Sequence, residues 1–142
     1  MRPKHILATL AFIATSAFAH EGVDLGPNGG RFLVIDKKAA LKGEVLVKGD
    51  QFHLTLLDRQ QKAMPVTTQT LTAHSRSNVI SSTQLAVVKA SQGFTFPLAS
   101  SGAWIVLQCR PIAEAKPCTI RFAYDTSTCS GCQKAEWLCC CK

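Results

Sequence analysis

The chain has 142 residues with 16 lysines and arginines, 9 aspartates and glutamates, and a formal net charge of +7. Its basic residues are scattered, Lys37 and Lys38 forming the one adjacent pair, so neither the clustered charge nor the aromatic platforms of a nucleic-acid groove are present. The length suits one domain that buries its own core, and 7 cysteines make the redox compartment the first question.

The chain opens MRPKHILATLAFIATSAFA. Arg2 and Lys4 precede an apolar run from Ile6 to Ala14, and Ala17-Phe18-Ala19 has the small-x-small form that signal peptidase accepts. The apolar stretch is about 13 residues, too short for a bilayer that takes roughly 20. Residues 1–19 are therefore expected to be a cleaved secretory signal, with His20 as the mature N-terminus. The expected location is periplasmic or secreted, with no membrane span after cleavage.

Turn residues follow in GPNGGR, residues 26–31, and lead into the short apolar run FLVID. ALKGEVLVKGD and QFHLTLLD alternate apolar and polar positions around a Gly49-Asp50 turn, the period-two grammar of a hairpin. PVTTQTLTA, QLAVVKA and GFTFPL continue as strand candidates, and His74 falls in a polar stretch that reads as loop. GAWIVLQCR is the most apolar strand. One of its alternating sets, Trp104 with Val106 or Ile105 with Leu107, must face the core, and a loop or the tail is expected to cover the other. CTIRFAYDT closes the body. Seven to eight short strands without a helical period predict an all-β, Ig-like antiparallel sandwich over residues 20–125, with a small closed barrel as the alternative. Residues 126–142 form a cysteine-rich tail expected to pack on it.

HEG at residues 20–22, then GPNGGR, a strand and an acidic–apolar hairpin resemble the N-terminal β-sandwich of periplasmic adaptor subunits in heavy-metal efflux pumps. The likeness covers roughly the first third of the mature chain and implies an isolated sandwich domain, because the helical hairpin and lipoyl-like segments of a full adaptor are missing. The tail is similar to that of small secreted proteins ending in Cys-x-x-Cys…Glu-Trp-Leu-Cys-x-Cys.

Candidate chemistry sits in the histidines and cysteines. A terminal His20 offers an amine and a ring nitrogen to Cu(II), with His53, His74, Asp24 or Glu21 as a further ligand. The alternative is a frayed end with no role. Cys109 and Cys118 end one strand and start the next, and in an oxidising compartment they are the disulfide candidate. In CSGCQKAEWLCCCK, Cys129 and Cys132 form a Cys-x-x-Cys knuckle, while Cys139 and Cys141 are two apart and point the same way in extended backbone. These four could hold zinc, and the consecutive Cys139, Cys140 and Cys141 also suit Cu(I). Trp137 is expected to fold the tail back so that the two pairs meet.

No Gly-x-Ser-x-Gly elbow, His-Glu-x-x-His helix or phosphate loop is present, and a thioredoxin-type site has no room ten residues from the end of an all-β body. The chain is read as a non-enzyme. One reading is an exported protein binding zinc or copper through Cys129, Cys132, Cys139, Cys140, Cys141 and His20. The other is a disulfide-stapled module whose partner is another envelope protein.

Overall fold

A computed structural model describes residues 22–77 and 80–141. The expected signal segment and the candidate ligands His20 and Glu21 lie outside the described residues. The described chain is all-β. Its strands are β1 Arg31–Asp36, β2 Leu41–Lys48, β3 Gln51–Leu57, β4 Thr70–Arg76, β5 Ser82–Leu85, β6 Val88–Ala90, β7 Gly93–Pro97, β8 Ala103–Arg110 and β9 Cys118–Tyr124. A 3-10 turn, Glu136–Leu138, lies in the tail.

The strands form two antiparallel sheets, ordered β1-β2-β3-β7-β6 and β5-β4-β8-β9. Their facing sides interleave into one core. The first sheet contributes Leu33, Val45, Phe52, Leu54, Leu56, Phe94 and Phe96, and the second Leu71, Ala73, Ile105, Leu107, Phe122 and Tyr124. Each set follows the two-residue alternation that its strand shows in sequence.

The segment QLAVVKA is two strands rather than one. Leu85 pairs with Ala73 in the second sheet and Val88 with Thr95 in the first, so the chain changes sheets at Ala86–Val87. This crossing raises the strand number to nine. The expected strand PVTTQTLTA begins only at Thr70, because Gln69 turns its side chain back to accept the Thr67 N–H at 2.8 Å. His74 is not in a loop: it lies part-buried within β4, opposite Val106 and Gln84. Ile105 and Leu107 are the core-facing pair of β8. Trp104 is 53% exposed instead of covered, because among the described residues no layer lies over the outer face of the second sheet at that position and the tail packs elsewhere.

The GPNGGR turn has a structural target on the outer face of β2. Glu44 is wholly buried beneath it and accepts hydrogen bonds from the Asn28 backbone N–H at 2.8 Å, the Asn28 side-chain amide at 2.8 Å and the Gly30 N–H at 2.9 Å. A Cβ on Gly30 would stand 2.5 Å from the Val45 carbonyl oxygen, so the loop reaches the carboxylate only with glycine there. The loop is thus pinned by a buried charge with donors on both oxygens.

Candidate metal centre

The tail begins where β9 ends. Asp125 turns the chain: its carboxylate accepts the Ser127 N–H at 2.9 Å and the Ser127 hydroxyl at 2.6 Å, and these bonds hold it below the usual carboxylate range. The chain then doubles back through a narrow hairpin. Thr128 bridges Ala135, the Cys129 N–H donates to the Lys134 carbonyl at 2.7 Å, and the Gln133 N–H donates to the Cys129 carbonyl at 2.9 Å. Closing so tight a turn puts Gln133 in the left-handed region, φ 60°.

The return leg carries Trp137 into the core from the side where β1 and β9 lie next to each other. Its ring is 5.4 Å from Tyr124, 6.1 Å from Phe52 and 6.2 Å from Phe122, centroid to centroid. As the tail's aromatic residue was expected to do, it folds the segment back. Cys139 then leaves the 3-10 turn in extended backbone, φ −68° and ψ 121°. The beginning of the described chain runs beside it: the Val23 N–H donates to the Cys139 carbonyl at 2.7 Å.

Four sulfurs converge here. The Sγ atoms of Cys129, Cys132, Cys139 and Cys141 all lie within 4.8 Å of one another. Individual separations are 3.3 Å for Cys129–Cys139, 3.7 Å for Cys132–Cys139 and 3.9 Å for Cys129–Cys141. Four sulfurs about 2.3 Å from a tetrahedral zinc stand about 3.8 Å apart, whereas a disulfide holds its two at about 2.05 Å. Sulfurs this close could hold one metal ion among them, and the separations given exclude a disulfide within those pairs. Each of the 7 cysteines is a free thiol.

Backbone amides surround the sulfurs. The N–H groups of Cys132 and Gly131 face Cys129 and, with the Cys139 thiol, hold it below the ordinary thiol value. The Lys134 N–H holds Cys132 down to about 7. Against the Cys141 N–H, which favours its thiolate, burial and the neighbouring thiols push Cys139 up to about 12. Four thiols at this spacing cannot all ionise without a cation among them. Gly131 leaves the room: a Cβ there would meet the Cys141 sulfur at 3.0 Å and the Cys129 sulfur at 3.7 Å.

The other expected site residues fall elsewhere. Cys140 is exposed and turned out of the cluster, as the extended backbone dictates, with its sulfur 3.8 Å from the Lys134 ammonium. His53 and His74 lie on the outer faces of β3 and β4 and do not join the sulfurs. Cys109 and Cys118 stand directly opposite each other on β8 and β9 and carry no bridge. Two contributors were not read from sequence. Arg31 ties β1 to the tail through Trp137, and Asp36 sits against Cys118; both depend on pairing across the sandwich, which no local pattern announces.

The chain matches no protein-family model, no curated protein and no solved structure. The site is therefore characterised by its geometry. Four sulfurs would fill a tetrahedral cation's coordination and leave no position for water or substrate, the arrangement of a holding site rather than a hydrolytic one.

Proposed function

We propose that this is an exported metal-binding β-sandwich protein that holds one zinc ion through Cys129, Cys132, Cys139 and Cys141. The observation that supports the reading is the sulfur spacing: three of the six separations are 3.3–3.9 Å and all lie within 4.8 Å, close to the edge of a zinc–thiolate tetrahedron at about 3.8 Å. Cu(I) also takes thiolates but at lower coordination, so a set of four favours zinc. The bound ion would cross-link the knuckle at 129–132 to the extended segment at 139–141, and so keep Trp137 seated between β1 and β9. Export fits the basic, apolar, Ala-x-Ala start of the sequence, and a metal would protect the four thiolates in an oxidising compartment.

The test is metal analysis of protein recovered from the exported fraction, with intact mass in parallel. One zinc per chain beginning at His20 is expected. The Cys129→Ser/Cys132→Ser double variant should lose the zinc and shift Trp137 fluorescence to the red. Zinc-free protein that takes up no zinc or copper after mild reduction would reject the metal reading, and a mass that retains residues 1–19 would reject export.

A further inference from the structure

Outside the tail, one other pair of nucleophilic side chains is brought together by the fold. Cys109 ends β8 and Cys118 begins β9, and the two are register partners. Their strands pair with Ile105 opposite Phe122 and Leu107 opposite Ile120, so Cys109 and Cys118 share the inner face at the last rung of the hairpin. Cys109 is fully buried and Cys118 partly exposed.

The kind of rung can be read from the pairing of β8 with β4. Gly102, at φ 87°, is a bulge residue ahead of the strand, its N–H donating to the Tyr124 carbonyl. Because Pro111 has no N–H, the Thr70–Arg110 rung is closed by the Arg110 N–H itself, so even-numbered residues of β8 direct their amides toward β4 and odd-numbered residues toward β9. Cys109 and Cys118 are then a hydrogen-bonded pair, in which opposed Cα atoms stand about 5.5 Å apart. That lies within the range a disulfide spans, about 4.4–6.8 Å. No comparable partner exists for either sulfur among the described cysteines, because the tail thiols cluster with one another.

We propose that Cys109 and Cys118 form a second, chemically separate cysteine site: a cross-strand dithiol that a disulfide oxidant converts to a disulfide while the four tail cysteines keep their metal. Cys118, the accessible member, attacks the oxidant as thiolate and breaks its S–S bond, expelling one thiol and leaving a mixed disulfide. Buried Cys109 gives up its proton and attacks the Cys118 sulfur, expelling the second thiol. Two protein thiols lose two protons and two electrons, and the oxidant's disulfide becomes two thiols. The product closes a ring from 109 to 118 that contains Pro111 and Ile112, both of which line a cavity at this end of the sandwich. The 7 cysteines thus divide into a metal-holding four, an oxidisable pair and the exposed Cys140.

The partition rests on the metal reading, but the pair does not, and the experiment separates them. Full-length protein is reduced, loaded with zinc, exposed to oxidised glutathione, alkylated after metal removal, and cleaved after Glu114, which lies between the two cysteines. Fragments joined through Cys109 and Cys118, beside a tail alkylated at Cys129, Cys132, Cys139 and Cys141, are the expected result. Joined fragments from protein that never bound zinc would uphold the pair and remove the metal reading. The proposal is overturned if Cys109 and Cys118 are each alkylated after oxidation, if Cys118 stops as a glutathione adduct beside a free Cys109, or if either is linked to a tail cysteine. The Cys118→Ser variant supplies the control: its Cys109 should stay reduced, and an adduct or link there would overturn the proposal equally.

Discussion

The Arg31 guanidinium donates a 2.8 Å hydrogen bond to the Trp137 carbonyl oxygen, joining residues 106 positions apart. The same guanidinium lies 5.4 Å from the centre of the Phe122 ring, and burial pulls its pKa below the ordinary arginine value. A half-buried cation with a carbonyl on one side and an aromatic face on the other is a latch between β1 and the tail. Arg31→Met keeps the aliphatic stem but leaves the carbonyl unbonded. It is expected to cost about 1–3 kcal/mol, read from urea denaturation, with Trp137 fluorescence shifting to the red before the sandwich unfolds. A single transition with unchanged midpoint would show that the latch contributes nothing.

Glu44 fixes the opposite face of the first sheet. With Glu44→Ala, the Asn28 and Gly30 donors lose their acceptor in a place water does not reach. The expected loss is about 2–5 kcal/mol, because three charge-assisted bonds go together. Glu44→Gln keeps one acceptor oxygen but presents an amide to a donor, so its loss should be smaller than that of alanine. Equal midpoints for wild type and alanine variant in chemical denaturation would contradict the role.

The strands of the body were legible because each shows its buried face at every second residue. Phe52, Leu54 and Leu56 announce β3, and Ile105 and Leu107 announce β8. The sheet change at Ala86–Val87 was not legible, since a continuous β-prone run looks the same whether it pairs with one sheet or two. Trp104 misled for a related reason: its size suggests burial, but alternation places it outward once Ile105 is inward. In the tail, Cys-x-x-Cys spacing and the Cys139/Cys141 alternation marked the four ligands, and the same alternation removes Cys140. The buried role of Glu44 left no local trace, because the target of the GPNGGR turn lies on a strand 14 residues from Gly30.

Two positions in the knuckle respond in opposite directions. Gly131→Ala places a methyl group against the Cys141 sulfur, so zinc should bind at least tenfold more weakly by competition with a chelator (about 1.4 kcal/mol for each tenfold change). Gln133 holds φ 60°, which an L side chain adopts at a cost of about 1 kcal/mol. Gln133→Gly should relieve that cost and raise zinc affinity or thermal stability slightly. Weaker zinc binding by the glycine variant would mean that the Gln133 side chain itself supports the site.

Asp36 sets the reactivity of Cys118. Burial first, then the Asp36 carboxylate through its charge and hydrogen bond, raises the Cys118 thiol above its ordinary value. Asp36→Asn removes the charge but retains an oxygen for the Lys38 and Ala39 amides it caps. The Cys118 pKa should fall, and a larger thiolate fraction at pH 8 should speed its alkylation in reduced protein. Unchanged alkylation kinetics across pH 7–9 would show that the carboxylate does not control this thiol.

Zinc uptake must displace protons, and the thiols specify the direction of its pH dependence. In the metal-free protein, Cys139 is raised to about 12 and Cys141 is also raised, so both are protonated at pH 8. Cys132 lies near 7 and is largely ionised there, while Cys129 is held below the ordinary thiol value. Binding at pH 8 should therefore release about two to three protons per zinc, since each ligand coordinates as thiolate. Affinity should fall by at least about a hundredfold for each unit of pH lost below that point, and more steeply below 7 as Cys132 also takes a proton. Calorimetric titrations in buffers of different ionisation enthalpy measure the proton count directly. Zinc binding with no proton release, or with affinity flat between pH 6 and 8, would exclude coordination by these four sulfurs.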